Sequence, residues 1–197
     1  MFWQRHCAAI ILPFTIRGTI MPHTNRRRAG RRSVRYPEYD YSAGVFFITV
    51  NKSDDAPHFG TIKDGMIAPS AIGEIVTEEW YRTAGMRDGV RLDAFTLMPD
   101  HLHGIVLIDP ALRVSSDPGR RPTPGERPYG PISRSLGAFM AGFKSAATSR
   151  AIREGLTDRS IWQRSYYDRI VRDREALENI RRYIEQNPAN WHKRRRR

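Results

Sequence analysis

The chain has 197 residues, 40% apolar and 27% charged, enough for one domain with a full hydrophobic core plus tails. Its one cysteine, Cys7, excludes an intramolecular disulfide and a cysteine metal cluster, and no apolar run reaches the roughly 18 residues of a membrane span. The net charge of +12 sits mainly in Arg26, Arg27, Arg28, Arg31 and Arg32 and in Lys193 with Arg194, Arg195, Arg196 and Arg197; without these ten cations the chain is nearly balanced.

Such basic arms bind phosphate backbones without sequence preference, through counterion release. Nucleic acid is the expected partner, and a pair of solvated tails is the alternative. Residues 1–38 are Arg-rich and punctuated by proline, and are expected to form a flexible arm. The apolar run from Cys7 to Ile16 loosely matches a secretory signal, but no small-residue cleavage site follows. A translation start at Met21 is the preferred reading, with a cytoplasmic, nucleoid-associated location.

Gly44 to Val50 is rich in β-branched and aromatic residues and reads as a buried strand. Residues 51–67 read as a loop or hairpin. From Ser70 to about Ala84 the apolar residues Ile72, Ile75, Val76 and Trp80 recur at helical spacing, with Ser70 as N-cap and Gly85 as stop. Val90 to Met98 and His101 to Ile108 read as two strands joined at Pro99-Asp100. Residues 110–131 carry six prolines and three glycines, a composition that holds neither a helix nor a central strand.

A second helix is expected from Ile132 to about Arg153, with Leu136, Phe139, Met140, Phe143 and Ala147 as its apolar stripe. Ile161 to Val171 reads as extended. Asp173 caps a last helix ending near Asn187, before Pro188. The order of elements gives an α+β domain over residues 39–190 with the Pro-rich insert at 110–131. Its plan is split βαβ (ferredoxin-like), a mostly antiparallel sheet with helices packed on it. Residues 191–197 form the basic C-terminal tail.

Two constellations carry chemistry. In His101-Leu102-His103, strand alternation sends both imidazoles to one face and Leu102 to the other, so the pair can share one divalent ion. On the last helix Tyr183 and Asn187 lie one turn apart, at the edge of an apolar arc of Ala176, Leu177, Ile180 and Ile184. By itself each has a plain alternative, a chance His-x-His triplet or an ordinary amphipathic helix. Together, two imidazoles and an amide oxygen make a three-ligand site with open positions, beside a phenol able to attack phosphorus.

These residues resemble the single-tyrosine HUH transposases of bacterial insertion sequences, most closely the REP-associated tyrosine transposases. The resemblance spans residues 35–192 in four ordered blocks: Met98 to Val106, Leu136 to Ser145, Ile161 to Asp168, and Arg182 to Pro188. It implies Mg²⁺ or Mn²⁺ bound by His101, His103 and Asn187. It also implies Tyr183 as the nucleophile on single-stranded or hairpin DNA, giving a 5′-phosphotyrosine and a free 3′-hydroxyl. Transposition or mobilisation of hairpin-flanked repeats follows from the same resemblance, by a monomer or a homodimer.

Lys144 and Arg164 in the matched blocks, and Arg169 just after one, are candidate phosphate contacts, and Arg26, Arg27, Arg28, Arg194 and Arg195 are such candidates in the arms. Tyr166 and Tyr167 are alternative nucleophiles, ranked below Tyr183 because neither pairs at helical spacing with a possible ligand. Two other readings stay open: a domesticated hairpin-binding protein that no longer transposes, and a metal phosphoesterase acting on small molecules.

Overall fold

A computed structural model describes residues 39–112 and 135–194. The Arg26, Arg27 and Arg28 run, residues 113–134 (which take in most of the Pro-rich insert), and Arg195 lie outside the described residues, and Lys193 and Arg194 are described by backbone alone. The elements are β1 Gly44–Asn51, β2 Gly60–Lys63, β3 Met66–Pro69, α1 Ala71–Gly85, β4 Val90–Leu97, β5 His101–Ile108, α2 Leu136–Arg153, β6 Tyr167–Val171 and α3 Arg174–Arg194. Residues 51–67 do contain a hairpin, β2–β3, which runs on to Pro69. The first three residues of the insert, Pro110–Leu112, form a 3-10 turn.

Four strands form one sheet in the order β4-β5-β1-β6, with every neighbouring pair antiparallel. This is the expected split βαβ plan. The two cores follow from strand alternation. Phe46, Ile48 and Val50 of β1 and Leu102, Val106 and Ile108 of β5 join α1 and α2 in the larger core. Val45 and Ile105 turn to the other face, where Val171, Ile180 and Ile184 close a smaller core under α3.

The helix starts are set by side chains. Ser70 and Ser135 accept from the N–H groups of Gly73 and Ala138, and Asp173 accepts from Ala176, so orphan donors of all three helices are satisfied. The stripe Leu136, Phe139, Met140, Phe143 and Ala147 is fully buried. Arg150 ties α2 to α1 through Glu78 and Glu79. Trp80 of α1 lies on Gly104, where a Cβ would come within 2.5 Å of the indole, so only glycine lets this helix reach the sheet.

Two boundaries differ from the sequence expectation, and the first is the start of the second helix, which lies at Leu136 behind the Ser135 cap and not at Ile132. The last helix does not end at Asn187 but carries Pro188 inside it and continues to Arg194. A proline here removes one hydrogen bond, and tertiary contacts outweigh that loss. Ala189 lies 3.5–3.6 Å from where a Gly65 side chain would begin, and the Trp191 ring lies 6.0 Å from that of His101. Residues 191–194 are therefore the last turn of α3, not the start of a tail.

Candidate active site

The site lies between β5 and α3, on the face of the sheet that carries the smaller core. Leu102 is fully buried in the larger core, so the flanking imidazoles of His101 and His103 face the opposite way. Their Nε2 atoms are 3.1 Å apart. His101 Nδ1 is 2.5 Å from Asp100 Oδ1, and a carboxylate can only accept, which places a proton on Nδ1 and, in the neutral ring, a lone pair on Nε2. His103 Nδ1 is 2.9 Å from Thr49 Oγ1, its register partner on β1. In the tautomer in which His103 Nδ1–H donates to Thr49 Oγ1, two Nε2 lone pairs converge on one point, the arrangement that a shared cation resolves.

Helix α3 supplies the rest. Tyr183 Oη is 3.3 Å from His103 Nε2. Phe47 stacks on His103 at 5.3 Å and meets the Tyr183 ring edge-on at 5.9 Å, fixing both rings. One face of α3 presents Tyr183, Asn187 and Trp191 at successive turns. Since Tyr183 touches His103 and Trp191 touches His101, Asn187 lies on the stretch of helix that spans the two imidazoles.

Asn187 is only 2% exposed, and its amide nitrogen has no hydrogen-bond partner. Buried polar groups are almost always paired, and an amide turned by 180° exchanges its N–H for its oxygen. That end carries N–H in one orientation and Oδ1 in the other, and Oδ1 is the atom a divalent ion would take. Among the described residues no three His, Cys, Asp or Glu gather as a metal site. The donors that could serve one are the imidazole pair and the Asn187 amide one turn along α3 from Tyr183.

The helix is held in place by an ion pair that sequence reading missed. A β-bulge between Leu92 and Phe95 turns Asp93 toward α3, where Arg181 donates two hydrogen bonds to its carboxylate. Bulges re-aim side chains in this way. Burial raises the Asp93 carboxyl, but the Arg181 and Ala94 donors and the Arg181 charge outweigh it and hold the carboxyl below its ordinary range.

The other candidates are distributed as follows. Lys144 Nζ donates to the carbonyls of Gln163 at 2.6 Å, Ser165 at 3.3 Å and Arg164 at 3.5 Å, and burial lowers its pKa. It is a clip for the 163–165 loop, neither purely solvated nor aimed at open space. Arg164 is exposed on that loop. Arg169 is exposed on β6 and pairs in register with Phe47, which puts it on the site's face of the sheet. Tyr166 packs against the larger core. Tyr167 is 59% exposed and pairs with Thr49, one strand beyond the strand adjoining His103.

Thr49, Asp100, Phe47 and Trp191 are site residues the sequence reading missed. Asp100, immediately before His101, had a signal in its position, since metal-binding histidines commonly hold a carboxylate with their second nitrogen. Trp191 falls on the Tyr183–Asn187 face but lies beyond Pro188.

No family model matches the chain. An uncharacterized protein of Haemophilus influenzae is 32% identical over 172 residues, covering 85% of this chain and 95% of that protein. Among solved structures, the REP-associated tyrosine transposase bound to a REP hairpin matches with a TM-score of 0.52 and 17% identity, over 79% of this chain and 73% of that one. The chain thus belongs to one family with the Haemophilus influenzae protein and shares its α+β fold with the REP-associated tyrosine transposase.

Proposed function

We propose that this protein nicks and rejoins single-stranded DNA through Tyr183, in the manner of a transposase that mobilises hairpin-flanked repeats. The observation that carries the reading is the placement of the Tyr183 hydroxyl 3.3 Å from His103, beside the His101 imidazole, within one chain. All three side chains lie in one chain, so the reading takes the site as formed in cis, in a monomer or in each protomer of a homodimer. The partner is a single strand bearing a hairpin, by analogy with the hairpin-bound structure of the same fold.

His101, His103 and Asn187 would hold Mg²⁺ or Mn²⁺. When bound, the ion polarises the scissile phosphate and stabilises its developing charge. A phenol with an ordinary pKa near 10 is a weak nucleophile at neutral pH, so alignment carries much of the effect. Phe47 and the docked α3 supply that alignment. The Tyr183 oxygen bonds to phosphorus as the bond to the 3′-oxygen breaks, leaving a 5′-phosphotyrosine and a free 3′-hydroxyl. Attack by another 3′-hydroxyl reverses the exchange and frees Tyr183. Arg164 and Arg169, with Arg194 at the end of α3 and Arg26, Arg27, Arg28 and Arg195 in the arms, grip flanking phosphates.

Strand polarity tests the chemistry. A hairpin oligonucleotide labelled on either side of the nick is incubated with protein and Mn²⁺ and run under denaturing conditions. Label on the 3′ side of the nick travels with the protein, and label on the 5′ side is released. The opposite distribution, or hydrolysis of nitrophenyl phosphate with no action on DNA, removes this reading.

A further inference from the structure

Beside the site a cleft of about 380 Å³ opens, lined in part by Asn51, Asp54, His58, Asp100, His101 and Gln163. His101 belongs to both, so a strand whose phosphate lies at the imidazole pair has a neighbouring nucleotide at the mouth of this cleft. The volume is in the range of small-molecule sites. We infer that the cleft receives one unpaired nucleobase flanking the nicked phosphate, and that the Asn51–Gln163 amide pair reads its edge; the inference rests on the DNA-processing reading above.

The walls are pre-set by two lysines used in the same unusual way. Lys52, almost fully buried, donates to the carbonyls of Ser53, Asp54 and Ala56. Lys144 donates to those of Gln163, Arg164 and Ser165. The two loops are then joined by Ser53 N–H to Ile161 and Gln163 N–H to Asn51. Rigid walls reduce the ordering penalty on binding.

The chemistry of the lining selects a base rather than a phosphate. Both lysine charges are already engaged with carbonyls, and the two carboxylates, Asp54 and Asp100, repel an anion. Asn51 Nδ2 donates to Gln163 Oε1 at 3.3 Å, which leaves an amide oxygen on Asn51 and an amide N–H₂ on Gln163 for a ligand. An acceptor with a donor is the pattern by which amides read base edges, and His58 puts a ring of the kind that bases stack on into the lining.

The test uses the full chain with Tyr183→Phe, so that binding is read without nicking. Single abasic sites are placed at each nucleotide around the nick position of a hairpin oligonucleotide, and Kd is measured with and without Asn51→Ala/Gln163→Ala. The expected result is one position where loss of the base weakens binding roughly 10- to 100-fold and where the double variant shows no further loss. Gln163→Glu exchanges a donor for an acceptor, so it should change which base is preferred there, a result that misfolding cannot produce. Equal abasic penalties in both proteins, with DNA still bound, overturn the cleft alone. Absence of DNA binding by the parent protein overturns the DNA-processing reading, and the cleft with it.

Discussion

Asn187→Leu separates the needs of the fold from those of the site. Asn187 is 2% exposed and one end of its amide is unpartnered, an arrangement that costs roughly 1–3 kcal/mol. Leucine branches at the same carbon and removes the orphan. Taking about 2 kcal/mol from the middle of that range and allowing up to about 1 kcal/mol for tighter packing, the metal-free variant should be more stable by about 1–2 kcal/mol. For a chain of this size that raises Tm by roughly 2–8 °C. Mn²⁺ reverses the ranking. At a concentration near 100 times the wild-type Kd, the ion stabilises the wild type by about 2.7 kcal/mol. A ligand loss that weakens binding about 100-fold reduces this to about 0.4 kcal/mol. Thermal melts with chelator and with Mn²⁺ measure both effects. A variant that melts below the wild type without metal, or that keeps the full Mn²⁺ shift, refutes the role given to Asn187.

Further outcomes follow from other contacts. Asp93, with its carboxyl held below the ordinary 3.8, contributes stability that is full above the unfolded value and is lost as pH falls through the folded one. The stability difference between wild type and Asp93→Asn should therefore be present at pH 6 and shrink below about pH 4, and a difference independent of pH contradicts the ion pair. Lys144→Met should destabilise the protein by about 1–3 kcal/mol without changing the salt dependence of DNA binding, whereas Arg164→Ala should lower the log Kd versus log salt slope by about 0.7. The reverse pattern would make Lys144 a direct phosphate contact. Gly104→Ala drives a methyl into the buried Trp80 ring at 2.5 Å and should cost about 1–3 kcal/mol in chemical denaturation; a neutral result would mean that α1 shifts freely.

What the sequence revealed depended on periodicity. The alternation of β5 and the one-turn spacing of Tyr183 and Asn187 are local rules, and both were legible. The 3.1 Å convergence of the imidazoles and the contact of Tyr183 with His103 depend on how α3 docks, which no local rule fixes. Thr49 was invisible because its role depends on β1–β5 register. Asp93 was invisible because a bulge breaks the alternation that would otherwise place it. Pro188 misled because a proline ordinarily ends a helix, and here packing at Ala189 and Trp191 carries the helix through it. The carbonyl partners of Lys144 were invisible because a distant loop contributes them and leaves no mark in the sequence around it.

The central claim is that Tyr183 forms the covalent bond to DNA, and the identity of the adducted peptide tests it most directly. Wild type, Tyr183→Phe and Tyr167→Phe are incubated with a hairpin single strand and Mn²⁺, and the adduct is digested and mapped by mass spectrometry. The account predicts one nucleotide-bearing peptide containing Tyr183, an adduct retained in Tyr167→Phe, and none in Tyr183→Phe. An adduct that persists in Tyr183→Phe, or that maps to Tyr166 or Tyr167, would contradict it.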